Sequence, residues 1–148
     1  MLDKVFKKSA YTEDQPNAYE ILYVHCAIKG LQFGAIAGTI MGSLYALKTK
    51  NIATITSFAN RGSLIMAPIS TGMCFIKMRN EDEMGWKDRS WRLQRNKGQI
   101  LVDNISLGPG LVTLLISRQW AGIGLAEGVL AGAIYNHLTG KMEGVAGR

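Results

Sequence analysis

The chain has 148 residues, 47% of them hydrophobic and 19% charged, and 17 Lys and Arg against 11 Asp and Glu give a formal net charge of +6. This length is enough for one domain or one small helical bundle. The positive charge does not indicate a nucleic-acid-binding protein, because acidic residues share its basic segments and no RNP, zinc-finger or helix-turn-helix pattern accompanies it.

Charged residues are concentrated in two segments, the first 20 residues and residues 77–97. Elsewhere the sequence contains long runs without charge, at residues 31–47, 62–76, 104–117 and 128–140. Only the first run approaches the ~18–20 residues that identify a membrane-spanning helix by themselves. The alternation nevertheless favours a multi-pass membrane protein, with a soluble helical protein as the alternative.

The first element in chain order is a helix that follows a polar N-terminal segment of mixed charge. Pro16 and Asn17 predict its start, with Asn17 as the N-cap. The helix is expected to enter the membrane near Ala27 and to continue to Leu47, where the polar turn 48–51 follows.

Three further spans are expected after this turn, at residues 58–78, 98–117 and 121–138. A charged loop at 77–97 separates the second span from the third, and a Gly-Pro-Gly kink at 108–110 lies within the third. A tight turn at residues 118–120 leads into the fourth span.

The sequence therefore predicts an all-α membrane protein with four transmembrane helices. Its organisation is a polar N-terminal segment and helix start (1–26), a four-span bundle that includes the charged loop (27–138), and a C-terminal tail (139–148). Arg61 lies one turn inside the second span, from which its long side chain can reach the membrane interface.

Glycines recur at every fourth position in the first and fourth spans, and this spacing indicates close helix packing. Each interior glycine costs ~0.5–1 kcal/mol relative to alanine, so a regular series requires compensation. In lipid, where helices associate through van der Waals contact, such a series forms a groove that a neighbouring helix can approach closely. The alternative is a set of small residues in a crowded soluble core. The predicted packing residues are Gly30, Gly34, Gly38 and Gly42 in the first span and Gly124, Gly128 and Gly132 in the fourth.

The sequence contains no recognisable constellation for catalysis, for a cofactor or for a metal ion. His25 and His137 are distant in the chain, and the pair formed by His25 and Cys26 has no matching second pair of ligands. The segment GIGLAEG, at residues 122–128, lies within a predicted span rather than after a strand, so it does not match a dinucleotide-binding fingerprint. No enzymatic activity is expected of this chain.

Two acidic residues, Asp103 and Glu127, fall within predicted spans, where a charge is expensive. The favoured interpretation is that each lies near a span end or pairs with Arg61, Arg118 or a partner subunit. Proton or substrate transport is the alternative, and it would require several such residues around one cavity.

The charged loop carries the residues most suited to an external contact. Arg89, Arg92 and Arg95 are three positions apart, and Arg79 precedes them. These arginines are predicted to contact lipid phosphates or a partner protein, with a solvated loop as the alternative.

Several short segments occur in a recognisable order and spacing. They are KVF at residues 4–6, FGAIAG at 33–38, STGMCFIKMRNED at 70–82, SRQWAGIG at 117–124 and TGKMEGV at 139–145. In this order they resemble the Tim-type four-span mitochondrial inner-membrane family, and within it the Tim-like accessory subunit of respiratory complex I. The arginine-plus-aspartate loop signature of that family is present only loosely, as Arg79 followed by three acidic residues at 81–83.

The resemblance implies a multi-pass protein of the mitochondrial inner membrane without catalytic activity. The expected function is that of an accessory subunit that stabilises the membrane arm of complex I (NADH:ubiquinone oxidoreductase) and its contact with an adjacent respiratory complex. The expected partners are other membrane subunits of complex I and inner-membrane lipids such as cardiolipin, and no cofactor is implied. The alternative is a preprotein translocase channel subunit.

The positions of acidic residues distinguish an accessory subunit from a translocase channel subunit. The resemblance implies that a translocase subunit carries acids in a lateral cavity near the intermembrane-space ends of the first two spans. In this sequence Met73 precedes Cys74, and residues 27–47 contain no acid, so only Glu127 could take that role. This difference favours an accessory subunit over a channel.

Cys26 and Cys74 are the only cysteines in the chain. Antiparallel neighbouring spans would place both at the same membrane face, so a disulfide and two buried thiols are both compatible with their positions. The resemblance favours the disulfide, because relatives link these two helices at the intermembrane-space face. It also places both termini in the intermembrane space, and we follow it here although the positive-inside rule would turn this basic side toward the matrix.

Overall fold

The computed structural model describes residues 6–139. They form five α-helices and one 3₁₀ turn: α1 (Ala18–Thr49), α2 (Ala53–Met78), α3 (Glu83–Arg95), α4 (Lys97–Ile116), the turn Arg118–Trp120, and α5 (Ala121–Leu138). The described residues contain no strand, and the predicted all-helical fold is confirmed. Of the predicted C-terminal tail only Thr139 is described, and residues 1–5 and 140–148 lie outside the described part of the chain.

The ends of α1 are set by two residues in a left-handed backbone conformation. Asn17 precedes the helix, as predicted, and Lys50 follows it, each with a φ of 54°. The side chain of Asn17 makes no capping hydrogen bond, so its contribution is the conformation of its backbone. Lys50 donates its backbone N–H to the carbonyl of Ala46, which closes the helix before the turn into α2.

The first glycine series lies against α2. A Cβ atom added to any of its four glycines would collide with the backbone of that helix. The closest approach is between Gly34 and Gly62, where each helix contributes a glycine. The facing positions are Gly30 with Met66, Gly34 with Gly62, Gly38 with Phe58, and Gly42 with Ile55. Because the numbers rise along α1 as they fall along α2, the two helices are antiparallel and form the first hairpin.

The second glycine series packs α5 against α4 in the same way. A Cβ at Gly128 would lie 2.6 Å from the Cα of Ser106, and one at Gly132 would lie 3.1 Å from the Cα of Val102. The facing positions are Gly124 with Thr113, Gly128 with Ser106, and Gly132 with Val102. Helices α4 and α5 are therefore antiparallel and form the second hairpin. Both glycine series are occupied by helices of the same chain, so neither offers a free groove to a partner subunit.

The predicted kink at residues 108–110 does not interrupt α4, which is a single helix from Lys97 to Ile116. The hydroxyl of Thr113 donates to the carbonyls of Pro109 (2.8 Å) and Gly110 (3.1 Å). These bonds use carbonyl groups one turn earlier and are compatible with a continuous helix through the proline.

The predicted charged loop at 77–97 is mostly helical, because α3 covers Glu83–Arg95. Asp82 caps this helix by accepting a hydrogen bond from the N–H of Gly85 (2.7 Å). Trp86 is 5% exposed and fixes α3 to the start of α1 and the end of α2. Its buried neighbours are Ala18, Leu22 and Met78.

The two hairpins meet at a small apolar cluster in the middle of the bundle. Ala35 of α1 packs against Leu125 and Ala126 of α5, and all three are buried. Leu31 and Leu107 cover the cluster from α1 and α4. The side chains at this contact are few and mostly small, so it is a limited source of hydrophobic stabilisation.

One amide side chain also joins the hairpins. Asn60 of α2 donates from Nδ2 to the carbonyls of Arg118 and Gln119, both at 3.1 Å. Its Oδ1 atom accepts a hydrogen bond from the N–H of Gly122 (2.7 Å). Asn60 therefore holds the turn between α4 and α5 against α2.

Large apolar side chains lie on the outside of the bundle. Phe33, Leu64, Leu115 and Leu138 are 60%, 71%, 86% and 77% exposed. Glycine, alanine and polar side chains occupy most of the buried positions. Among the described helices, α1 and α4 are long and apolar enough to cross a membrane by length and composition.

Gly34→Ala is expected to destabilise the bundle by ~1–3 kcal/mol, because the added methyl group would force α1 and α2 apart. The matched control is Gly72→Ala on α2, where an added Cβ meets no atom within 4 Å. This control should be neutral or slightly stabilising, since alanine favours the helix. Thermal unfolding of the purified protein in a mild detergent, followed by circular dichroism, measures both changes. An unchanged midpoint for Gly34→Ala would contradict the close backbone packing.

Candidate functional site: a buried polar cluster between α1 and α4

A buried carboxylate lies at the interface between α1 and α4. Asp103 is only 5% exposed. Its Oδ1 atom accepts hydrogen bonds from Lys29 Nζ (2.5 Å), Gln32 Nε2 (3.1 Å) and Gln99 Nε2 (3.3 Å). Its Oδ2 atom lies 3.6 Å from Nδ1 of His25. The carboxylate is surrounded by donors, and Lys29 supplies the opposite charge.

Ser106 extends this arrangement along α4. Its hydroxyl accepts a hydrogen bond from Gln32 Nε2 (2.6 Å) and donates to the backbone carbonyl of Asp103 (3.0 Å). Lys29 Nζ also donates to Gln32 Oε1 (2.8 Å). Ser106 and Gln32 are buried, so these polar groups satisfy one another. Six residues form this polar cluster: His25, Lys29, Gln32, Gln99, Asp103 and Ser106.

The positions of these residues follow from helical geometry. The α1 members lie at spacings of four and three residues, which places them on one face of the helix. The α4 members have the same spacing and face them. The two triads are His25, Lys29 and Gln32, and Gln99, Asp103 and Ser106. This shared spacing was the available sequence signal, but only the packing of the two hairpins reveals that the triads meet.

Asp103 lies near the start of α4, as one sequence interpretation predicts. Its charged partner is Lys29 of α1 rather than Arg61 or Arg118. Asp103 is the buried partner of this ion pair, and the side chain of Lys29 is 30% exposed. Such a pair contributes little net stability, but removing Lys29 is costly because the buried carboxylate is left uncompensated. The arrangement therefore fixes how α1 and α4 face each other.

A small cavity adjoins the polar cluster. His25, Gln94, Gln99 and Asp103 contribute to its walls, and it has about 10 Å³ of space for water, which corresponds to about one molecule. Gln94 of α3 is 3% exposed, and its amide atoms have no hydrogen-bond partner among residues 6–139. The polar environment of Asp103 thus extends toward α3.

Glu127 lies apart from the polar cluster. It is exposed on α5, and it forms no ion pair with the residues that the structure describes. The two acids of the predicted spans therefore have different environments, since Asp103 is enclosed by donors and Glu127 points away from the bundle.

The two cysteines meet across the first hairpin. The side chains of Cys26 and Cys74 lie close enough to interact, and both thiols are free. Both side chains line a cavity beside Met78, at the end of the hairpin where α3 packs. The disulfide stays a prediction.

Two of the basic residues of α3 are paired with acids close in sequence. Arg89 forms an ion pair with Glu81, and Lys87 lies 2.7 Å from Glu83. The hydrogen bond from Lys87 to Glu83 raises the pKa of Lys87. Acidic neighbours thus neutralise part of the basic segment.

The remaining predicted contact arginines have different environments. Arg92 forms an ion pair with Asp88 at 3.0 Å. Arg95 stacks over Trp91, 3.9 Å from its ring centroid, and donates to the carbonyl of Ser9 (2.7 Å). Arg79 is exposed and pairs with no acid of the described residues. Three of the four predicted contact arginines are therefore engaged within the chain, and a continuous basic face is not formed.

These features define a class of protein: an α-helical bundle of two glycine-packed hairpins, joined by a buried polar cluster. Among residues 6–139, no group of three or more His, Cys, Asp and Glu could hold a metal ion. Residues 5–139 match the family model described as "Protein of unknown function (DUF1757)", and the chain belongs to this family. A comparison with curated proteins found no match.

Replacing Asp103 by Asn is expected to destabilise the protein by up to about 3 kcal/mol, because the Lys29 ammonium loses its counter-charge. Lys29→Met should destabilise it for the converse reason. In the double variant the two effects should be less than additive, with a coupling of about 0.5–3 kcal/mol. Urea unfolding in detergent gives the free energy of unfolding of the unmodified protein, the two single variants and the double variant, and these four values form a double-mutant cycle.

The control cycle uses Asp88 and Arg92, an exposed pair one turn apart on α3. Its coupling should be about 0.3–0.5 kcal/mol. If the two cycles give equal couplings, the ion pair at Asp103 has no special role in holding the hairpins together.

Mild oxidation of the purified protein is expected to join Cys26 and Cys74 without loss of the fold. The bond should stabilise the protein by about 2–4 kcal/mol through the loop it closes. Labelling of denatured samples with a maleimide polymer counts free thiols before and after oxidation, with Cys74→Ser as the control. Two thiols that stay free under oxidation would contradict the predicted pairing.

Proposed function

We propose that this protein is a non-catalytic, multi-pass subunit of the mitochondrial inner membrane that stabilises the membrane arm of complex I. The observation that carries the membrane part of this proposal is the inverted distribution of side chains. Large apolar residues cover the outside, while glycine and polar groups lie between the helices. Water would oppose this arrangement, whereas lipid permits it.

The four spans of the proposed arrangement are α1, α2, α4 and α5. At 1.5 Å per residue, α2 with 26 residues and α5 with 18 residues extend about 39 Å and 27 Å, close to the ~30 Å of a hydrocarbon core. Helix α2 packs along α1, and α5 packs along α4. Helices α1 and α4 are the two that are long and apolar enough to span a membrane. In this arrangement α3 and both termini share one side, which the resemblance assigns to the intermembrane space.

The environments of the polar groups in the bundle favour a structural subunit over a channel. The carboxylate of Asp103 is enclosed by donors of the same chain, which suits a structural role. The outer groove formed mainly by α2 and α4 has mostly apolar walls, and no acidic residue lines it. A lateral path for basic presequences would be expected to expose acids.

Complex I is proposed as the assembly because of the resemblance in sequence. Since both glycine series are filled within the chain, contacts with other membrane subunits would use the outer apolar faces of the helices. The function of the chain would then be to fill space between larger subunits, and contact with an adjacent respiratory complex could use the same surfaces.

A preprotein translocase channel subunit is the second candidate. The exposed carboxylate of Glu127, on an apolar face of α5, is the observation that favours it. A channel function would require this single acid to contact the passing chain.

The test is native gel separation of mitochondria after extraction with a mild detergent, followed by detection of this chain and of NADH dehydrogenase activity. Migration with that activity is the expected result, and depletion of the chain should reduce the assembled membrane arm. Migration in a smaller assembly that holds arrested preproteins would contradict the proposal. In that case Glu127→Gln should impair import, whereas Glu20→Gln, outside the predicted spans, serves as the control.

A further inference from the structure

An open groove lies on the outer surface of the described bundle, beside the turn between α4 and α5. Its volume is about 470 Å³, within the ~300–1,000 Å³ typical of small-molecule sites. Helices α2 and α4 form its walls, and buried Leu125 of α5 lies at its base. The wall residues include Leu64, Leu107, Leu111 and Leu114.

The polar groups of the groove are almost all engaged within the chain. The Nδ2 atom of Asn60 is bound to the turn before α5 and its Oδ1 atom to Gly122 in the first turn of α5. The hydroxyl of Ser63 donates to the carbonyl of Ala59 (3.0 Å). The guanidinium group of Arg118 differs, because it forms no hydrogen bond or ion pair with residues 6–139. The groove thus has an apolar body and one uncompensated cation.

The fold fixes the backbone that carries this cation. Asn60 accepts the N–H of Gly122 and donates to the carbonyls of Arg118 and Gln119, so the turn carrying the guanidinium group is tied to the wall of the groove. The side chain of Arg118 therefore extends from one end of the groove.

We propose that the groove binds one acyl chain of an anionic phospholipid, with the phosphate at Arg118. An apolar groove that ends in a cation is complementary to an amphiphile with the opposite charge at its head. A partner helix is a poorer fit, because three turns about 10 Å in diameter occupy more than about 1,000 Å³. The site rests on the membrane location proposed above, but it does not depend on membership of complex I.

The test is native mass spectrometry of the purified full chain with phosphatidylglycerol or phosphatidylcholine of identical acyl chains. The unmodified chain should retain phosphatidylglycerol in preference to phosphatidylcholine. Arg118→Gln should reduce this preference about fivefold, as expected for one interfacial cation. The control is Arg61→Gln, an exposed arginine outside the lining of the groove, which should leave the preference unchanged.

A second pair of variants tests the apolar body of the site. Leu114→Trp places a larger side chain in the groove and should reduce retention of both lipids. Leu115→Trp, at the neighbouring position outside the lining, should not. Equal retention of the two lipids by the unmodified chain, equal effects of the two arginine changes, or full retention by Leu114→Trp would each overturn the proposal.

Flotation with vesicles of phosphatidylcholine and phosphatidylglycerol separates this inference from the proposed function. A chain that resists alkaline extraction from these vesicles yet has no lipid preference would overturn the lipid site alone. A chain that is removed by alkali would overturn both the membrane location and the site.

Discussion

Close approach between helix backbones is the constraint on which the remaining structure depends. At Gly34 and Gly62 the two helices of the first hairpin meet with no side chain between them, and the second hairpin repeats this contact at Gly128. Such packing buries little apolar side-chain area, so its stability comes from many short-range contacts along the helices. It also leaves the large apolar residues on the outside of the described bundle.

Hairpins that are held by small residues need another means to dock in one orientation. The polar cluster supplies it, because triads of equal spacing on α1 and α4 match only in one register. Asn60 adds a second fixed point at the opposite end of the second hairpin. Polar contacts of this kind add modest stability, but a misaligned arrangement would leave the buried carboxylate of Asp103 without a partner.

The sequence predicts the regular parts of this structure well. The long helices follow from charge-free runs and glycine spacing, and the turn at Arg118–Trp120 follows from its polar residues between two such runs. Helix α3 could not be predicted from its pattern, because its buried face contains one large apolar residue, Trp86, beside polar side chains. Its stability depends on packing against α1, which local sequence does not reveal.

The site is less predictable than the fold for a related reason. The neutralisation of Arg92 by Asp88 was available from their spacing of four residues. The partner of Asp103 was not, because Lys29 lies 74 residues away in the chain. Such a contact depends on how two separately patterned hairpins meet.

The order in which contacts can form follows from the arrangement of the fold as two separate hairpins. Each hairpin consists of neighbouring helices, so its glycine contacts close short loops, whereas the contacts of Asp103 with α1 join positions 71 and 74 residues apart. Local pairing generally precedes long-range pairing, because less chain entropy is lost. We therefore expect docking of the hairpins to be a late step of folding, and an undocked chain would expose Asp103 and lose its contact with Lys29.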